Sequence, residues 1–245
     1  MPAPLTLEWS YTPADFFGAP AESAVGSYTV HIENGRALAT FAIDLPDSEL
    51  PSVHNALKVR FLGAQTIRNG PFRLSNYSAT RKRPDGTSVM AISASLTGHA
   101  MVGAVDFVIR DAEGNVTLDT KADRIKTTNE MGQLAAKHIG DPVAAALLNS
   151  YTEAINDPSN ELTHLYEIRD ALSKKCAGDE EARSQLGISR NQWSRLGQLA
   201  NDDPLKQGRH RGKKAGQLRD ATEPELDEAR GIAQKMILAY LKYLG

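Results

Sequence analysis

The chain has 245 residues, 41% of them hydrophobic and 24% charged, a composition that excludes the disordered, fibrous and collagen-like classes. Its formal net charge of -2 gives no global attraction to nucleic acid, membranes or acidic substrates. Residues 1–128 carry 12 basic and 13 acidic side chains and the remainder 16 and 17, so any electrostatic signal must be local.

The start, MPAPLTLEW, has neither a basic n-region nor an apolar h-region. The longest apolar run, Val143 to Leu148, is far too short to span a bilayer. The expectation is a cytoplasmic protein without membrane contact. The single cysteine, Cys176, excludes an intramolecular disulfide and cannot alone build a cysteine-rich zinc site.

From the start to about Asp123, short β-branched and aromatic runs separated by turn residues predict antiparallel sheet. Leu5 to Tyr11 is the first predicted strand. Tyr28 to Glu33 and Ala37 to Leu45 alternate around Asn34-Gly35, the residue pair that a type I′ hairpin turn favours. Leu57 to Gln65 reads as a further strand. A second hairpin is predicted from Phe72 to Lys82, through Pro84-Asp85-Gly86, to Ser88–Leu96. A third runs from Ala104 to Arg110 and returns over Val116 to Lys121. Seven or eight such strands suggest a sandwich or partly open barrel.

After Lys126 the period changes from two to about 3.6. Asp141-Pro142 predicts a capped helix to Asn156, and Asp157-Pro158 one to about Ala177. Asp179 is the expected cap of a short helix ending at Leu186-Gly187. Ser189 with Gln192, and Thr222 with Glu225, form capping-box pairs for helices to about Asn201 and Leu244. The fold class is therefore α+β, with an antiparallel β-rich domain over 1–128 and an all-α bundle over 129–245. A long connection, 202–221, contains three glycines.

That connection holds the densest cationic cluster. Lys206, Arg209, Arg211, Lys213, Lys214 and Arg219 occur with no acid from Lys206 to Arg219. Guanidinium forks beside glycines suit phosphate contacts, because arginine grips two oxygens and glycine lets the main chain approach. His210, flanked by two arginines, is the candidate general base. A solvated basic loop is the plain alternative.

In the helix NELTHLYEIRDAL, a 100° wheel puts Leu162, Leu165, Tyr166, Ile168, Leu172 and Cys176 on one side. Arg169 falls within that stripe and must either meet a carboxylate, such as Glu161 or an acid of another helix, or line a cleft. Asn160, His164 and Glu167 face away. No second histidine stands at i+4 and no cysteine pair is near, so no metal and no cofactor is expected. A third pattern, EEARSQLGISRNQWSRLGQL, has the outline of a DNA-binding helix-turn-helix with Arg190, Asn191, Gln192 and Arg195 as readers. Arg183 stands where that motif places a small residue, which makes DNA the weaker partner.

A β-rich domain followed by a bundle with an Arg/His-rich loop before its last helix resembles bacterial proteins with an Apea-like HEPN domain. The carriers are NELTHLYEIRDAL, LGQLAND and QGRHRG within residues 141–244; for residues 1–125 the resemblance is of architecture only. It implies a helical bundle, often a homodimer, that acts on RNA in bacterial defence or stress, in many members as a metal-independent ribonuclease. The β-rich domain would then be a sensor or adaptor. Catalytic members place an arginine four to six residues before a histidine, and none of the six histidines here has one. The implied catalytic set must instead assemble in space. His210 would take the ribose 2′-hydroxyl proton, Arg169, Arg209 and Arg211 would meet the phosphate, and His164 would serve as acid. The alternatives are a non-catalytic adaptor and a DNA-binding regulator.

Overall fold

The computed structural model describes residues 5–25, 28–42, 45–82, 88–92, 108–110, 113, 115–214 and 216–245. The chain forms two compact units, residues 1–133 and 134–245.

In the first unit an antiparallel sheet has the strand order β2 (Ala21–Val25), β3 (Tyr28–Glu33), β4 (Arg36–Phe41), β1 (Leu5–Thr12), β6 (Ser78–Lys82) and β7 (Ser88–Ile92). A two-residue strand, β5 (Arg73–Leu74), also pairs with β1. Strand β1 is central and alternates strictly, with Leu5, Leu7, Trp9 and Tyr11 all buried, as the period of two requires when one face meets a core. Asn34 and Gly35 both take positive φ, 48° and 80°, which confirms the hairpin turn between β3 and β4.

The layer over this sheet is a helix, α1 (Leu50–Arg68). Leu50, Val53, Leu57, Phe61 and Ala64 join the strand side chains in one hydrophobic core. The expected strand at Leu57–Gln65 is thus corrected to part of α1. Alternation of Leu57, Val59 and Phe61 mimics a strand, but the longer set beginning at Leu50 has helical spacing, and Pro51 stands in the first turn, where its missing N–H costs nothing. A small hairpin, β8 (Val108–Arg110) with β9 (Val116–Asp119), is separate. Helix α2 (Thr120–Lys137) follows it at once. The Asp119 carboxylate accepts the Ala122 N–H at 2.9 Å, so the strand expected to reach Lys121 stops two residues earlier. The turn at 84–86 and the strand segments 93–96 and 104–107 lie outside the described residues.

The second unit is helical. It comprises α3 (Pro142–Asn156), α4 (Glu161–Lys175), α5 (Asp179–Leu186), α6 (Arg190–Gly197) and α7 (Glu223–Tyr243). A 3₁₀ turn at Pro158–Asn160 precedes α4, and a π turn at Gln198–Asp202 extends α6. Asp141 caps α3 by accepting the Ala144 N–H at 2.7 Å, and both capping boxes form. Helix α4 packs between α3 and α7. Its buried Leu162, Leu165, Ile168 and Leu172 meet a core that includes Leu147, Tyr151, Met236 and Tyr240. Among the described residues no helix is long and apolar enough to cross a membrane.

Candidate nucleic-acid interface

Arg169, on α4, is the charged residue inside the apolar stripe. Its side chain is only 15% exposed and donates to the Asp179 carboxylate of α5 at 2.7 Å. The guanidinium carbon also lies 5.1 Å from the Tyr166 ring centre and 5.2 Å from that of Trp193, within range of cation–π attraction. Gly197 of α6 makes this possible, because a Cβ there would collide with Arg169 Nη1. Burial alone would raise the Asp179 pKa, but hydrogen bonds from Ser173 and Arg169 and the adjacent Trp193 indole outweigh it and hold the carboxyl below its ordinary value. The acid from another helix is therefore Asp179. Glu161 is taken instead by Arg230 of α7, with contacts of 2.5 and 3.0 Å.

The loop after the π turn reaches the same aromatic ring. Arg209 places its guanidinium carbon 4.4 Å from the Tyr166 ring centre, so two guanidiniums share one tyrosine. Arg209 is exposed and has no carboxylate partner among the described residues. His210 and Lys213 follow it, both exposed. The His210 carbonyl accepts the Lys213 N–H at 3.1 Å, and no hydrogen bond or ion pair among the described residues joins the imidazole to Arg169.

Three other cations of the loop, Lys206, Arg211 and Arg219, are spent on its own structure. Lys206 pairs with Asp220 at 2.9 Å, a contact that holds the Asp220 carboxyl below its usual range. Arg219 grips both Glu225 oxygens at 2.8 and 2.6 Å, and with the Thr222 cap this pulls the Glu225 pKa down to about 2. Arg211 donates to the Ser159 carbonyl at 3.0 Å and to the Asn160 side chain, which pins the loop to the start of α4. Lys214 closes the 3₁₀ turn Arg211–Lys214. Of the six cations read as one phosphate patch, three are anchors, and Arg209 and Lys213 have no carboxylate partner among the described residues.

His164 does not face free solvent as the wheel suggested. It is 21% exposed, with Nε2 3.5 Å from Asp157 and Nδ1 3.7 Å from Glu167. Contacts from Asn160 first and then His164 keep the Asp157 pKa low. Among the described residues no cluster of three His, Cys, Asp or Glu side chains is suited to a metal ion. On α6, Arg195 is held by Glu228 at 2.9 Å and Asp203 at 3.5 Å, and Gln192 is folded back into the Ser189 capping box. Arg190 and Asn191 are exposed.

The chain matches no protein-family model, no curated protein and no solved structure. Tyr166, Trp193 and Asp179 are the site residues that the sequence reading passed over. A signal was available, since Tyr166 and Arg169 are three apart on a helix and so share a face.

Proposed function

We propose that the helical unit binds single-stranded RNA, with Arg209 and Tyr166 as its contact platform, in keeping with a HEPN-like role as a binding protein that does not need to cut. The observation that carries this reading is the exposed Arg209 guanidinium stacked 4.4 Å from Tyr166 beside the exposed His210 and Lys213. Unpaired bases stack on aromatic and guanidinium planes, while neighbouring cations hold the backbone. Catalysis has less support, because Arg169 already has a carboxylate partner in Asp179, and a scissile phosphate would have to displace it at the cost of that charged hydrogen bond.

The test is fluorescence anisotropy of a labelled, mixed-sequence single-stranded RNA in EDTA, titrated at several salt concentrations between about 50 and 200 mM. Binding should weaken with salt. Arg209→Ala should cost about tenfold and make the log–log salt slope shallower by about 0.7, the share of one phosphate contact on a single strand. Salt-insensitive binding, or an Arg209→Ala variant that binds like the parent, would end this reading. RNA cleavage abolished by His210→Ala would replace it with the ribonuclease. Tighter binding to duplex DNA that is lost on Arg190→Ala would replace it with the DNA regulator.

A further inference from the structure

The main chain of Arg209, whose guanidinium lies over Tyr166, bonds back to the end of the preceding helix. The π turn at Gln198–Asp202 closes with the Asp203 N–H on the Gln198 carbonyl at 2.9 Å. The Ala200 carbonyl is then left without a helical partner. Four residues on stands Pro204, which has no N–H to give, and five on, the Leu205 N–H is committed to Asp203 at 2.8 Å. A helix-end carbonyl buried without a donor is costly. Here the Arg209 N–H supplies the donor, at 2.7 Å.

That bond requires the chain to pass very close to Ala200. Gly208 is buried, and a Cβ on it would lie 2.8 Å from the Ala200 oxygen and 3.3 Å from the Leu205 oxygen. Both are backbone atoms that cannot swing aside. The Gly208 N–H bonds to Leu205 at 3.1 Å, and its carbonyl accepts Arg211 Nε at 3.0 Å, so both ends of the residue are fixed as well. Gly212, in the same loop, differs: a Cβ there would meet nothing within 4 Å.

We infer that Gly208 is a positioning residue for Arg209: the close pass of Gly208 beneath the orphaned Ala200 carbonyl fixes the Arg209 main chain so that its guanidinium stands on Tyr166. The glycine is needed for approach to protein backbone, where the sequence suggested approach to phosphate. The inference rests on the reading of Arg209 as the ligand-facing residue, and its test separates the two.

The pose is read without ligand, by nuclear magnetic resonance of the intact chain labelled at arginine. Side-chain protons over a tyrosine face are shifted upfield by the ring current, and the Arg209 signal is identified by its absence in Arg209→Ala. Gly208→Ala should abolish the upfield shift and reproduce the Arg209→Ala loss in RNA affinity, about tenfold, with the same shallower salt slope. Gly212→Ala should leave shift and affinity unchanged. Pro204→Ala, which restores an N–H able to compete for the Ala200 carbonyl, should reduce both partially and serves as the independent variant if Gly208→Ala does not fold. Retention of the upfield shift in both Gly208→Ala and Pro204→Ala would overturn the inference, as would its absence from the parent. A shift lost in Gly208→Ala, with no RNA binding by the parent, would uphold the positioning role and remove the RNA reading.

Discussion

In the N-terminal unit the large buried side chains are aromatic and converge on Phe61, which lies within 4.9 to 5.4 Å of the rings of Tyr11, Phe16, Phe17 and Phe72. In the helical unit a carboxylate, Glu161, is 5% exposed among the leucines of α4 and is answered by Arg230 across the bundle. The first arrangement draws on non-directional burial and tolerates small shifts. The second depends on paired charges whose desolvation is repaid only while both are present. The N-terminal core holds a buried guanidinium, Arg60, over the Phe17 ring at 5.7 Å, whereas the open Arg209 loop belongs to the helical unit.

The contrast is broken most severely at Phe61. Phe61→Ala removes the ring at the centre of four aromatic contacts and should destabilise the unit by about 3–5 kcal/mol. Trp9 and Trp193 are the only tryptophans, both buried, one in each unit. Denaturant unfolding followed through Trp9, with Trp193→Phe as background, measures the loss. A cost below about 1 kcal/mol would mean that the cluster collapses around the missing ring and that the core is not centred there.

Arg230→Met probes the other unit and should cost about 3 kcal/mol, because it leaves Glu161 buried without its cation. The lower end of the usual range applies, since the Arg230 side chain is 17% exposed and also reaches Glu223 and Asp227 at the surface. Adding Glu161→Leu should recover most of the loss, because an apolar pair of similar size avoids both desolvation penalties. Urea titration read through Trp193, with Trp9→Phe as background, gives both values. A double variant no better than the single one would show that the pair fixes the geometry of α4 against α7.

How far the sequence announces these features follows their range along the chain. Local devices are legible: the Asn34-Gly35 turn, the Asp141 cap and the two capping boxes each depend on residues within a turn of one another. Helix α1 is misread because LKVRF alternates over five residues, and the window that starts at Leu50 is needed to show the longer period. At the site, Arg169 stands out as a charge in an apolar stripe, and the need for an acid from elsewhere follows from burial. Which acid does not follow, since Glu161 stands on the same helix yet pairs with Arg230, 69 residues away. The loop misleads in the same way. A stretch without internal acids looks uniformly cationic, but Asp220 and Glu225, just past its end, neutralise Lys206 and Arg219. Only packing distinguishes the anchoring cations from the open ones.

The smallest expected effect is a pH dependence in the aromatic unit. Trp9 Nε1–H donates to His54 Nδ1 at 2.9 Å, so the ring must be unprotonated at that atom. Burial, and next the charge of Lys58, lower the His54 pKa below its ordinary value. The unfolded chain therefore binds the proton more tightly than the folded one, and stability rises with pH across the gap. The His54 contribution is complete above the unfolded value of about 6.5 and is lost as pH falls from there to the lowered folded value, where a protonated ring would turn a donor toward the Trp9 donor. Thermal unfolding read through Trp9 should show a midpoint that declines from about pH 7 to pH 5, with the decline reduced in His54→Gln while that of a His31→Gln control persists. An equal decline in the parent and in His54→Gln would assign the dependence to other groups and leave the Trp9–His54 bond without an energetic role in this range.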